Sequence, residues 1–157
     1  MIHQLNINKL ELIRPLVEER VREAGLIERM PPDLLIATIE SQAQSGHFNI
    51  LVDNVENPTA LVILVVGTAP MLAEITCSII ILHVAQSVKD ESPKTAARLA
   101  SEMMQHSEAF ARQRGCDCVR ANSWEWRGHG DDSALCEQSG MEKQSVAYVK
   151  ILREGAG

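Results

Sequence analysis

The sequence predicts an α/β domain, layered in the α+β sense, and three observations carry that expectation. Apolar residues recur first at three-and-four spacing and then in alternation, so that two helices precede a set of strands. The third strand of that set, Glu74 to Val84, is nearly continuous in apolar character, as in a central strand covered on both faces. A long helix with both ends signalled follows it, and the chain closes on a strand, a short helix and a further strand. At 157 residues and 45% hydrophobic content the chain has the size and core material of one domain, spanning 1–157. No repeat, low-complexity tract or linker divides it.

Taken in order, Ile2 to Leu5 alternates weakly and reads as a short first strand. Leu10, Ile13, Leu16, Val17, Val21 and Ala24 then mark one face of an amphipathic helix that ends near Gly25. Pro31 and Pro32 interrupt, and Asp33 starts a second helix carrying Leu34, Leu35, Ile36 and Ile39 and stopping by Gly46. Phe48, Ile50 and Val52 alternate; Asp53, Asn54, Asn57 and Pro58 signal a turn; Ala60 to Val66 completes an antiparallel hairpin. After a loop through Gly67 and Pro70 comes the Glu74–Val84 strand. Ser92 then caps a helix with Pro93 at its first position, and Ala96, Leu99, Met103 and Phe110 line one face up to Gly115. A strand from Cys118 to Asn122, a polar loop, a short helix from Ser133 to Gln138, and one or two strands between Met141 and Leu152 finish the chain.

Charge and cysteine content exclude several classes. The formal net charge of −6 and the scattered basic residues give no nucleic-acid footprint. The first residues lack the features of a secretory signal, and the longest apolar run, Ala60 to Val66, is far short of the roughly 20 residues that cross a bilayer. No membrane association is expected, and a cytoplasmic location follows. Cys77, Cys116, Cys118 and Cys136 read as reduced thiols, because a chain of this size has a core and does not depend on disulfides. Cys116 and Cys118 have one residue between them where zinc-binding pairs have two to four, so no metal is expected.

The element order resembles that of the GCN5-related N-acetyltransferases over almost the whole chain. Local matches carry the resemblance: Ala73-Glu74-Ile75 opening the long strand that ends Leu82-His83-Val84, Gly115 closing the helix before Cys118, and Ala134-Leu135-Cys136-Glu137-Gln138-Ser139-Gly140-Met141, which is similar to the family's Ala-x-x-Tyr-Glu-Lys-Leu-Gly-Phe. The ending Ala147-Tyr148-Val149-Lys150 is similar to the final strand of many members. The resemblance implies a mixed central sheet flanked by helices and acetyl-CoA as co-substrate, with no metal. The donor's pantetheine arm lies where the long strand splays from the next one, which assigns cofactor contacts to Leu82 and Val84. Its pyrophosphate lies at the start of the long helix, which assigns Lys89, Lys94, Thr95, Ala96 and Arg98.

That segment departs from the family pattern of Arg or Gln, two residues, Gly, one residue, then Gly or Ala. Gln86-Ser87-Val88-Lys89-Asp90-Glu91-Ser92-Pro93-Lys94-Thr95-Ala96 contains no glycine, and Asp90 and Glu91 add negative charge. An ordinary capped helix accounts for it equally well.

Transfer to an amine requires a proton acceptor, donors for the oxyanion and a proton donor for the leaving thiolate. By position Glu74 and His83 are the candidate bases; a solvated strand-end carboxylate and a satisfied interior histidine are the alternatives. Cys136 stands where the family has its Tyr acid, and is otherwise a small buried hydrophobe. In the loop from Ser123 to Asp132, Trp124, Glu125 and His129 are candidates for contact with the acceptor, or the tryptophans cover the open end of the sheet. Three functions share this architecture: an acyl-CoA-dependent N-acyltransferase acting on a small-molecule or protein amine, a binding or assembly protein that has lost the donor site, and a protein that binds a CoA ester without turnover. Exposed sheet edges make a homodimer a further expectation.

Overall fold

The computed structural model describes residues 1–23, 25, 31–69, 73–121 and 133–142. These residues form a five-stranded mixed sheet in the order β1 (His3–Gln4), β2 (Phe48–Val52), β3 (Ala60–Ala69), β4 (Glu74–Val84) and β5 (Cys118–Ala121). The first four strands are antiparallel neighbours, and β5 runs parallel to β4. Such a pair requires a crossover, and the long helix supplies it.

Helices α1 (Arg14–Glu23) and α2 (Pro32–Gln44) cover one face. There Leu16, Val17, Val21, Ile36 and Ile39 pack with Ile50, Val52, Leu61, Ile63 and Ile81. The chain enters α1 through a 3-10 turn at Ile7–Ile13, where sequence periodicity predicts the α-helix already under way. Pro15 explains the difference, because it has no N–H with which to bond the Glu11 carbonyl. Gly25, at φ +67°, lies just past the helix end, as its permissive backbone allows.

The opposite face is covered by α4 (Pro93–Gln113), whose Ala96, Met103, Met104, Phe110 and Ala111 pack on Leu51, Val62, Leu64, Cys77, Ile79, Leu82 and Val84. Its ends are those the sequence signals. Ser92 Oγ accepts from Thr95 N at 3.2 Å, Pro93 occupies the first helical turn, and Gly115 takes φ +70° just beyond the last turn. Between β4 and α4 lies α3 (Gln86–Glu91), a six-residue helix with no fully buried side chain. Residues 86–91 read as loop in the sequence, so this helix is a correction.

Ile63 pairs with Ile81 but Leu64 pairs with Ile79, so Ile80 is an extra residue, a β-bulge in β4. The bulge reverses the facing of the strand, directing Ile79 toward α4 and Ile81 toward α1 and α2. That inversion lets one continuous apolar strand serve both cores. β3 runs three residues beyond the expected Val66 because Gly67, Thr68 and Ala69 continue the ladder to Thr76, Ile75 and Glu74. Helix α5 (Ser133–Gln138) falls where expected, whereas the strand expected after Met141 lies mostly outside the described residues.

Candidate functional site

The parallel ladder between β4 and β5 runs from Thr76↔Cys118 to Ile79↔Ala121 and stops at the bulge. Beyond it, Ile81–Val84 remains paired with β3 on one edge and has no strand partner among the described residues on the other. Leu82 and Val84 turn their side chains into the core beneath α4, so what they offer along this edge is backbone.

At the end of that edge three elements meet. His83 on β4 is 2% exposed and faces α1. Its Nε2 lies 3.0 Å from Glu19 Oε2, and its Nδ1 lies 3.6 Å from Glu23 Oε2. The same Glu19 oxygen accepts from the backbone N–H of Gln86, the first residue of α3, at 3.0 Å. Glu23 Oε1 is 3.0 Å from Lys89 Nζ, also on α3, and its Oε2 is 3.8 Å from Arg20 Nη1.

Burial pushes the His83 imidazole below its usual value, against the opposing pull of Glu19 and Glu23. The ring is therefore neutral near pH 7, with the Nε2–H donating to Glu19. Burial acts to raise the Glu19 carboxyl, but hydrogen bonds from His83 and from the Gln86 N–H outweigh it and hold the group below the ordinary carboxylate value.

Sequence reasoning did not single out Glu19 or Glu23. Their spacing holds the one available signal: two carboxylates one turn apart on a helix repel, so their presence beside an apolar stripe calls for cations from elsewhere.

The donor's phosphates need free backbone N–H groups, and here the structure constrains the fit. Gln86 N–H is taken by Glu19, Val88 and Lys89 N–H by the Ala85 carbonyl, Ser92 N–H by the Val88 carbonyl, Thr95 N–H by Ser92 Oγ, and Ala96 N–H by the Ser92 carbonyl. These amides do not form a phosphate cradle. The cations of the segment are Lys89, paired with Glu23; Lys94, exposed; and Arg98, exposed and 3.9 Å from Glu102. Thr95 is exposed and Ala96 buried on the first turn of α4.

The other expected residues are dispersed. Glu74 opens β4 at the end opposite His83, five residues before the β5 ladder stops, a separation of about 17 Å along a strand. Its carboxylate lies 3.6 Å from Arg120 Nη2 and 3.9 Å from Cys118 Sγ. Cys136 on α5 is partly buried against the core beneath α4. Trp124, Glu125 and His129 lie outside the described residues. Among the described residues no group of three or more His, Cys, Asp or Glu could hold a metal ion, and no helix is long and apolar enough to cross a membrane.

Solved structures share this architecture from end to end. A protein described as a probable acetyltransferase superposes with a TM-score of 0.78 at 14% identity, over 98% of this chain and 99% of its own. A GCN5-related N-acetyltransferase from Ralstonia eutropha JMP134 gives 0.74 at 20% identity, over 96% and 97%. A ribosomal-protein-alanine N-acetyltransferase from Brucella melitensis biovar Abortus 2308 gives 0.72 at 18% identity, over 97% and 99%. No family model matches the sequence, and no curated protein matches it. The chain thus has the fold of the GCN5-related N-acetyltransferases, as its element order implied.

Proposed function

We propose that the protein is an acyl-CoA-dependent N-acyltransferase that moves an acetyl group from acetyl-CoA to a primary amine. One observation supports the reading: among the described residues the β5 ladder reaches Ile79 while β4 continues to Val84, in an acetyltransferase fold where an extended ligand can add along a strand edge. In the reaction the amine nitrogen attacks the thioester carbon, a C–N bond forms and the C–S bond breaks. The nitrogen gives up a proton to a base, and the thiolate takes one up. Of the two candidate bases, His83 lies at the end of β4 beyond the described β5 ladder, whereas Glu74 lies at the paired end. The reading therefore gives the proton to His83, whose Nδ1 is the ring nitrogen left without a proton when its Nε2–H donates to Glu19. Cys136 is the proposed acid for the departing thiolate.

A second reading has its own observation. The helical turn at Gln86–Glu91, with Glu19 seated on its first N–H, is what a fold-sharing binding or assembly protein without a donor site would show. Incubation with acetyl-CoA and a panel of amines, including a polyamine, an aminoglycoside, free amino acids and a peptide, separates the two. Amine-dependent release of free thiol supports transfer; absence of both release and acetyl-CoA binding supports the second reading.

A further inference from the structure

We propose that Glu19 and Glu23 are positioning residues that fix the junction of β4 and α3 against helix α1, an inference that rests on the transferase reading for its consequence in donor binding. At the junction itself Ala85 is buried and its N–H donates to the Thr59 carbonyl at 2.7 Å, but α3 beyond it has few contacts. Helix α3 has six residues and no fully buried side chain; Val88 is its one partly buried apolar contact with both cores. Helix α1, by contrast, is anchored by Leu16, Val17 and Val21, each 3% exposed or less. From this rigid support Glu19 reaches two groups that bracket the junction, the His83 ring before it and the Gln86 N–H after it, through one oxygen. Glu23, one turn further, reaches Lys89 and the other ring nitrogen of His83. The groups facing His83 are thus Glu19 and Glu23 from α1 and Lys89 from α3.

Two like charges one turn apart on a helix are unfavourable alone. Here Arg20 on α1 itself lies 3.8 Å from Glu23, and the other partners of both carboxylates come from β4 and α3, so the set is complete only when the three elements are docked. The clamp consequently sets the direction in which the chain leaves β4, and with it the placement of Lys89. The first helix and the donor end of the sheet are mechanically one unit.

Hydrogen exchange across Gln86–Ser92 and acetyl-CoA calorimetry, applied to the wild type, E19A, E19Q, E23Q and the control E40Q on exposed α2, test this. In E19A and E23Q exchange at the junction should rise roughly tenfold while the amides of the buried strand β3 hold their protection, which a merely global loss of stability would not produce. E19Q keeps an acceptor oxygen for the Gln86 N–H and should fall between E19A and wild type; E40Q should match wild type. Acetyl-CoA affinity should fall in step with junction exchange. Unchanged junction exchange in both E19A and E23Q overturns the clamp. If wild type binds no acetyl-CoA, the transferase reading fails, whereas the exchange data still decide the clamp.

Discussion

Glu19 and His83, 64 positions apart in sequence, meet at 3.0 Å in the interior, the carboxylate oxygen against Nε2 of a ring whose side chain is 1% exposed. This contact joins the first helix to the last residues of β4, and its protonation chemistry has a measurable consequence.

His83 titrates below 6.5 in the folded protein, so at intermediate pH the unfolded chain holds the extra proton. Its contribution is complete above about pH 6.5 and is lost as pH falls through the depressed folded value. Glu19, held below 4.5, adds stability that is present above that pH and disappears at still lower pH. Thermal midpoints measured from pH 8 to about pH 2 should therefore decline in two stages. H83N should remove the earlier stage and, because the His83 hydrogen bond is the first of those that lower Glu19, also reduce the later one; an unaltered early decline in H83N contradicts the assignment.

E19A should destabilise by about 1.5 kcal/mol, the lower part of the range for a hydrogen bond to a charged group, because the partly exposed site lets water replace some of the lost acceptor. Urea denaturation of the variant beside wild type measures it. A change within a few tenths of a kcal/mol would show that the contact is not held in solution.

Ile63 and Met103 are fully buried, on opposite faces of the sheet. Ile63→Ala and Met103→Ala should each cost about 2–5 kcal/mol by loss of transfer free energy and creation of a cavity. Because the two cores share no side-chain contacts of these residues, the double variant should be additive within about 0.5 kcal/mol. Chemical denaturation of the three variants checks both statements.

Ser92→Ala leaves Thr95 N–H without its cap and should cost about 1 kcal/mol, whereas Ser92→Gly should cost only a few tenths. Equal losses in the two variants would mean that the cap is not formed.

The sequence was most legible where one element carried several independent signals. Helix α4 was bounded by Ser92, Pro93 and Gly115, and its apolar face named the residues that reach the core. The β2–β3 turn was marked by Asp53, which in the structure accepts from Thr59 N and Ala60 N at 2.8 Å each. The bulge at Ile80 was invisible because a continuously apolar strand has no alternation to break. Helix α3 was invisible because six polar-rich residues show no period.

The candidate site divides in the same way. The position of His83 near the end of β4 was readable from element order, whereas Glu19 and Glu23 find their β4 and α3 partners 60 to 67 positions away, beyond any local pattern. Glu74, the other candidate base, stands at the far end of the strand from His83, with Arg120.

Titration of the purified protein with acetyl-CoA by calorimetry asks directly whether this fold retains a working donor site without the glycine loop. Saturable binding is predicted, with a gain of about 2.7 kcal/mol in stability at 100 times the dissociation constant, and weakening when Lys94 and Arg98 are replaced by Ala. Absence of binding at millimolar acetyl-CoA would contradict the transferase reading and leave the fold-sharing binding protein in its place.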